Sequence, residues 1–310
     1  MASIKISIVV PCYNEEESVP LFLEKTQAVA ATMAGTVFEY IFVDDGSNDN
    51  TLVVLRDLAK AHADVTYLSL SRNFGKEAAL LAGLRASTGD LVAVMDADLQ
   101  HPPELLPEMF HGITEEGFDC VATRRANRHG EPRIRSFFSK RFYRLINKIS
   151  ETDMVDGATD YRLMTRQMID AILELKEYNR FSKGLFSWVG FSTKWIPFEN
   201  TPRVAGTTKW NFWQLLTYSM DGIVGFSVRP LAISSLFGFL FCLLAILGGL
   251  FVIVRWLLFG DPVQGFATTV CLILFVGGVQ LFSIGILGQY VAKSYLETKG
   301  RPVYVVKEQG

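Results

Sequence analysis

Leu91-Val-Ala-Val-Met95-Asp96-Ala97-Asp98-Leu-Gln100 is an unbroken apolar run that opens into two carboxylates one residue apart. A continuous apolar run, rather than an alternating one, reads as a strand covered on both faces. The neighbouring sequence repeats the theme. Lys5–Val10, Tyr40–Val43, Val65–Leu70 and the short Cys120–Ala122 read as further strands. Helices are expected over Glu15–Met33, Asn50–Ala61, Lys76–Ser87 and Glu104–Glu116. This alternation predicts an α/β, doubly wound, mostly parallel sheet.

In such sheets ligands bind outside the carboxyl ends of the strands. Pro11-Cys-Tyr13-Asn14-Glu15 follows the first strand, and Asp44-Asp45-Gly46-Ser47 follows the second. Ser71-Arg72-Asn-Phe-Gly75-Lys76 follows the third, and Asp96-Ala97-Asp98-Leu-Gln100 the fourth. Five carboxylates and two cations therefore converge on one edge. The first strand is not followed by G-x-G-x-x-G, and Lys76 is followed by Glu77 rather than by Ser or Thr. Both common phosphate-cradling loops are thus excluded. What remains is a site that takes a phosphate by way of a metal ion. Asp96, Asp98 and Gln100 offer hard oxygen donors that suit Mg²⁺ or Mn²⁺. Aspartates also cap helices that follow strands, so the weight lies on the whole run from Met95 to Glu104. Asp44-Asp45-Gly46-Ser47 reads equally well as a turn and cap.

The chain has 310 residues, 49% hydrophobic and only 20% charged, with a net charge of −2. That balance excludes disorder and argues against a nucleic-acid binder. Four separated cysteines without C-x-x-C imply neither a zinc site nor a disulfide framework. The amino terminus shows no signal-peptide pattern. The apolar excess sits at the other end. Leu231 to Val254 is a run of 24 residues without a charge, and Pro262 to Ala292 one of 31. Each is long enough to cross a bilayer, which needs about 20 apolar residues. The expectation is a two-helix transmembrane hairpin over about 231–255 and 263–292. Arg203, Lys209 and Arg229 precede it, and Lys293, Lys299, Arg301 and Lys307 follow it. The positive-inside rule then puts both termini in the cytoplasm of a multi-pass protein of the cell (inner) membrane. The aromatic stretch from Trp210 reads as a helix lying at the bilayer surface.

Between Arg124 and Lys148 stand nine Lys or Arg against one acid, Glu131. Phe138, Phe142, Leu145, Ile146 and Ile149 interleave at helical spacing, as in a basic helix at a membrane surface. Arg124, Arg135 and Arg162 are the candidates for an acceptor phosphate, since guanidinium binds phosphate bidentately.

Taken together, Pro11-x-Tyr13-Asn-Glu15, Val43-Asp-Asp-Gly-Ser47, Ser71-Arg-Asn-Phe-Gly-Lys76 and Asp96-Ala-Asp-Leu-Gln100 resemble the family 2 glycosyltransferases of GT-A fold, which is Rossmann-like. More narrowly they resemble the polyprenyl-phosphate glycosyltransferases. That group includes dolichol-phosphate mannose synthase and bacterial enzymes that load glucose or N-acetylglucosamine onto undecaprenyl phosphate. Asp160-Tyr-Arg-Leu-Met164, Arg180 to Gly190, Arg203 to Trp210 and the terminal hairpin extend the resemblance over nearly the whole chain.

The resemblance implies a nucleotide-sugar site built from Pro11, Tyr13, Glu15, Asp44, Asp45, Lys76, Asp96, Ala97, Asp98 and Gln100. Asp96, Asp98 and Gln100 would hold the metal. Arg203 and Lys209 would close over the diphosphate on a loop pivoting at Gly206, and Asp160 would act on the acceptor side. Thr159 departs from the small residue usual in relatives, and Gln289 from an acidic one. The implied division is a GT-A domain (1–202), a loop and interface helix (203–229), two spans (230–292) and a tail (293–310).

The implied reaction is inverting transfer of glucose or N-acetylglucosamine from a UDP-sugar to undecaprenyl phosphate. A mannose synthase using GDP-mannose is the alternative, as is a non-catalytic scaffold. A processive polysaccharide synthase would carry Q-x-x-R-W, which is absent, and a channel would need intramembrane charge. Close relatives imply a homotetramer, with Pro302-Val-Tyr-Val-Val306 a candidate strand for pairing with a neighbouring copy.

Overall fold

The structure is a computed structural model that describes residues 3–126, 155, 157–199, 229–259 and 265–310. Arg135, Arg203, Gly206 and Lys209 lie outside the described residues, as do the interface helix from Trp210 and all but the first residues of the basic segment.

The chain begins with β1 (Ile4–Cys12), α1 (Ser18–Ala30), β2 (Thr36–Asp44), α2 (Thr51–Ala61) and β3 (Val65–Leu70). It continues through α3 (Lys76–Ala86), β4 (Leu91–Val94), a single 3-10 turn at Pro103–Leu105, α4 (Leu106–Thr114) and β5 (Cys120–Arg125). Then come β6 (Ala158–Thr165), α5 (Arg166–Glu174), α6 (Ser182–Trp188) and β7 (Thr193–Phe198). Two long helices, α7 (Arg229–Phe259) and α8 (Phe266–Thr298), lead to a terminal strand, β8 (Val306–Gln309). All five expected strands are present. The first helix starts at Ser18 rather than Glu15, because Glu15 is held in the preceding loop by a bond from its N–H to Thr51 Oγ1.

One sheet runs β7-β5-β6-β4-β1-β2-β3-β8. The pairs β1–β2, β1–β4, β2–β3 and β5–β7 are parallel. β6 lies antiparallel between β4 and β5, and β8 lies antiparallel on β3. The sheet is therefore mostly parallel. Alternation along the strands sends side chains to two cores. Ile6, Ile8 and Val10 face one core with Phe22, Leu55 and Met109. Val9, Ile41 and Val43 face the other with Leu80, Leu84 and Ile169. Burying each such side chain contributes about 1.5–3 kcal/mol, which is why these strands read as unbroken apolar runs. At Gly83 a Cβ would stand 2.3 Å from Val9 Cγ1, so only glycine lets α3 lie this close over β1.

β6 breaks the expected pattern. Asp160 and Arg162 interrupt its apolar character, so it did not read as a strand. The end of the tail pairs with the chain's own β3, through Leu68–Gln309, Ser69–Glu308 and Leu70–Val306. Arg56 clamps it there, donating from Nε to Glu308 Oε1 at 2.7 Å and from Nη2 to Oε2 at 2.5 Å. The sheet thus includes residues from both ends of the chain.

α7 and α8 are 31 and 33 residues long and longer than the runs marked from sequence. The rings of Phe241 and Phe275 meet edge-on at 5.3 Å. Among the described residues one helical segment, Phe275–Thr298, is long and apolar enough to cross a membrane. Ser234–Gly248 in α7 is a shorter apolar stretch. One candidate span is thus present among the described residues, overlapping the second of the two expected spans.

Candidate active site

β1 has a parallel neighbour on each side, β2 reached directly and β4 reached by a crossover. The crevice at such a switch point is where open α/β sheets bind ligands. The loops there are fastened to one another. Asn14 N–H donates to Ser47 Oγ, Asn48 N–H to Asn14 Oδ1, and Asp45 N–H to the Cys12 carbonyl. Asn14 takes a positive φ of 54° to turn the loop. Gly46 (φ 65°) is needed for a second reason: a Cβ there would fall 2.5 Å from the backbone carbon of Arg72.

Asp44 and Asp45 are both buried. Asp44 accepts from Ser47 N–H and from Ser69 Oγ, each at 2.9 Å. Asp45 accepts from Phe74 N–H at 2.7 Å and Gly75 N–H at 2.9 Å. Burial raises the Asp45 pKa against those two bonds. In this structure these two carboxylates build the loops. The turn-and-cap reading of the motif accounts for their contacts. Pro11 lies inside β1, opposite Val43. Tyr13 receives a 3.4 Å bond from Asn48 Nδ2, and Glu15 accepts from Ser18 Oγ.

The centre of the edge is a lysine between two acids. Lys76 opens α3, and its Nζ lies 2.6 Å from Asp96 Oδ1 and 2.6 Å from Asp160 Oδ2. The sheet explains the meeting. Val94 pairs with Arg162 across β4–β6, and continuing that antiparallel register sets Asp96 opposite Asp160. Burial opposes charge on Lys76, but Asp160 and Asp96 overcome it and raise the ammonium pKa. Burial likewise raises Asp160, and Lys76 and then Lys183 override it, so its carboxyl sits well below the usual range.

Ala97 and Asp98 are buried, and Asp98 Oδ1 accepts from Gln100 N–H at 3.1 Å. Leu99 has φ 54°, a left-handed conformation unusual for a branched residue. Strain of this kind gathers where a loop is shaped for a ligand. Asp96 and Asp98 are hard oxygen donors and fit a magnesium- or manganese-type cation that brings the rest of its shell from substrate and water. Among the described residues no group of three or more His, Cys, Asp or Glu side chains is placed to hold a metal by itself.

Two of the three arginines assigned to the acceptor are visible. Arg124 is exposed at the carboxyl end of β5, on the same edge as Asp96. Arg162 is 3% exposed, with its guanidinium 3.9 Å above the Phe186 ring and Nη2 donating to the Thr159 carbonyl at 2.9 Å. It is a buried packing residue, correcting its assignment to the acceptor. Thr159 Oγ1 meets Thr123 Oγ1 at 2.6 Å across β5–β6, so its hydroxyl is satisfied inside the sheet.

Sequence reasoning missed Glu77 and Ser182. Glu77 Oε2 accepts from Ser182 N–H at 2.9 Å and from its hydroxyl, joining α3 to α6 beside Lys76. Burial raises the Glu77 pKa. His101 was also passed over. It is 5% exposed against Tyr161 and Phe198, and neither ring nitrogen has a hydrogen-bond partner among the described residues. Burial lowers its pKa. Proximity to Asp98 in sequence was the available signal.

The glycosyl transferase family 2 model matches residues 7–173, which takes in β1 to β6 and the whole lysine–carboxylate cluster. The chain belongs to glycosyl transferase family 2. A putative glycosyltransferase, CsbB, of Bacillus subtilis (strain 168) is 46% identical over 98% of this chain and 91% of that protein. The bactoprenol glucosyl transferase of Shigella phage SfX is 41% identical over 98% of this chain and 99% of that one. Among solved structures, mannosyl-3-phosphoglycerate synthase from Rubrobacter xylanophilus aligns at 20% identity and a TM-score of 0.48, over 70% of this chain and 71% of that one. This family 2 chain is a glycosyltransferase, and its mostly parallel sheet carries the carboxylates at the edge where the family's chemistry is expected.

Proposed function

We propose that the protein transfers a hexose, glucose or N-acetylglucosamine, from a UDP-sugar to undecaprenyl or another polyprenyl phosphate at the cytoplasmic face of the membrane. The observation that carries this is where the apolar helix rejoins the sheet. α8 ends at Thr298, and Ser71 N–H already bonds to the Val305 carbonyl at the carboxyl end of β3. Seven residues span at most about 25 Å. The sheet edge with Lys76, Asp96 and Asp160 is therefore tethered close to the end of the membrane-length helix. The exposed faces of α7 and α8 (Leu257 is 69% exposed and Leu281 72%) call for a lipid surround. The name of the phage relative points to the same lipid class.

In this reading the donor lies in the crevice between β1 and β4. The loops of Pro11–Glu15 and Asp44–Ser47 wall the nucleoside. Asp96, Asp98 and Gln100 would hold the metal, which would supply charge neutralisation for the departing diphosphate. An oxygen of the lipid phosphate attacks the anomeric carbon as the bond to the UDP oxygen breaks. One displacement inverts that centre. The acceptor's second pKa is near 6, so it arrives largely anionic and needs no general base. Asp160, already bound to Lys76, orients rather than deprotonates. Arg124 receives the lipid phosphate, with Arg135. Arg203 and Lys209 close over the diphosphate. Catalysis is then positioning and electrostatic stabilisation.

The chain would cross the membrane twice, with both termini cytoplasmic, and assemble as a homotetramer. The test is to incubate the purified full-length protein with undecaprenyl phosphate and a panel of UDP- and GDP-sugars, with Mg²⁺ or Mn²⁺, and weigh the lipid products. One hexosyl or N-acetylhexosaminyl phospholipid from a UDP-sugar is the expected result. Product from GDP-mannose alone, or no product, would refute it.

A further inference from the structure

The protein already carries a cation where its function calls for another. Lys76 Nζ spans Asp96 Oδ1 and Asp160 Oδ2 at 2.6 Å each. Its neighbours are fastened on both sides: Gly75 N–H donates to Asp45 Oδ2, and the Glu77 carboxylate accepts from Ser182 N–H. A bare divalent ion must compete with this ammonium for Asp96. It would also find few protein oxygens to bind, since no ligating group of three is present among the described residues. A nucleoside diphosphate brings phosphate oxygens and negative charge of its own, which is how Mg²⁺-type ions are commonly completed.

We propose that Lys76 is a resident counter-ion that keeps the carboxylates from loading a divalent cation alone, so that cation and nucleoside diphosphate are taken up together. The inference rests on the metal-dependent reading above. It makes Lys76 a positioning residue that sets the order of binding, separate from any contact it makes with the sugar. Asp160 shares the ammonium with Asp96 and offsets part of its charge when no substrate is present.

The experiment titrates full-length protein in detergent with Mn²⁺, reading free ion by electron paramagnetic resonance, with and without UDP. Wild type is expected to bind Mn²⁺ weakly alone and about tenfold tighter with UDP. Lys76→Met is expected to bind Mn²⁺ alone about tenfold or more tighter than wild type, because a unit charge this near a divalent ion is worth that factor even at the dielectric of water. It should also lose most of the gain from UDP. Lys76→Arg keeps the charge and should match wild type. A lysine with only a structural role predicts the opposite sign, since its loss would loosen the site. Unchanged or weaker binding in Lys76→Met, with UDP-dependent binding intact in wild type, overturns the inference and leaves the function standing. Asp160→Asn gives an independent check. It leaves Lys76 to Asp96 alone and should weaken Mn²⁺ binding, whereas tighter binding there overturns the inference. Wild type that binds no Mn²⁺ even with UDP overturns both the inference and the metal-dependent reading.

Discussion

Arg162→Met distinguishes an arginine that packs from one that reads substrate. Arg162 is 3% exposed, with its guanidinium stacked on Phe186 and bonded to the Thr159 carbonyl, while its Nε has no partner among the described residues. Burial pulls its pKa down, against the opposing pull of Cys120, Asp160 and Glu77. Removing it forfeits a desolvated cation–π contact worth about 2 kcal/mol and a hydrogen bond from a charged group worth about 1.5–3 kcal/mol. It also relieves the burial of a charge, an effective cost of several kcal/mol. The terms nearly cancel, and Met fills similar space over Phe186. The thermal midpoint should move by only a few degrees, and the KM for polyprenyl phosphate should stay within about twofold. Arg124→Met is the contrast. Its side chain is exposed at the carboxyl end of β5, and losing one charge-assisted bond of about 2 kcal/mol to the lipid phosphate should cost about 30-fold in kcat/KM. Both are read by radiolabelled sugar transfer at varied lipid phosphate, with thermal melts alongside. A tenfold rise in lipid KM for Arg162→Met, with its melt and its KM for nucleotide sugar unchanged, would refute the buried assignment.

Asp98→Asn should abolish transfer while leaving the protein membrane-inserted, as checked by flotation and the product assay; wild-type turnover would sink the metal assignment. At the opposite sheet edge, burial pushes Glu39 up, but bonds from Lys5, Ser7 and Thr88 overcome it and hold its pKa at about 2 against an ordinary 4.5. A depressed carboxyl stabilises the fold above about pH 4.5 and loses that contribution as pH falls toward 2, at most about 3 kcal/mol. Glu39→Gln should therefore melt lower than wild type at pH 6, with the gap closing by pH 2; a gap independent of pH would contradict this. Gly46→Ala must relieve a 2.5 Å approach to Arg72 at positive φ and should destabilise by more than about 2 kcal/mol in chemical denaturation. Glu308→Ala removes the acceptor of the Arg56 and Tyr67 bonds, so trypsin should release the tail faster than in wild type; equal rates would place the tail's hold elsewhere.

The parallel half of the sheet was legible because its strands are buried on both faces, and burial writes itself as unbroken runs such as Tyr40 to Val43. β6 was not, because Asp160 and Arg162 serve the site and the α6 packing rather than the core alone. The carboxylate edge was legible as a list of residues, since strand ends point there by topology. Its wiring was not. That Lys76 lies between Asp96 and Asp160 depends on the β4–β6 register, which joins residues far apart in sequence and leaves no local mark. Asp44 and Asp45 show the reverse limit: one motif can supply a ligand or hold a turn, and only their four bonds to Ser47, Ser69, Phe74 and Gly75 show the second role here.

Under the proposed function the enzyme joins a soluble donor to a lipid and must hold one edge of its sheet at a fixed height above the bilayer. The contacts in this chain form a continuous path from α8 to that edge. Glu297, in the last turn of α8, accepts from Tyr178 N–H at 2.9 Å and Asn179 N–H at 3.2 Å. Three residues on, Ser182 bonds Glu77, and Glu77 adjoins Lys76, which holds Asp96 and Asp160. The tail supplies a second tether, from Thr298 to the carboxyl end of β3. One attachment would let the domain swing about it; two, at separate points of the domain, restrict that motion. The arrangement explains why a short exposed strand is kept after the last apolar helix. β8 covers the open edge of β3, which would otherwise invite pairing with another chain, and it holds the helix end beside the site.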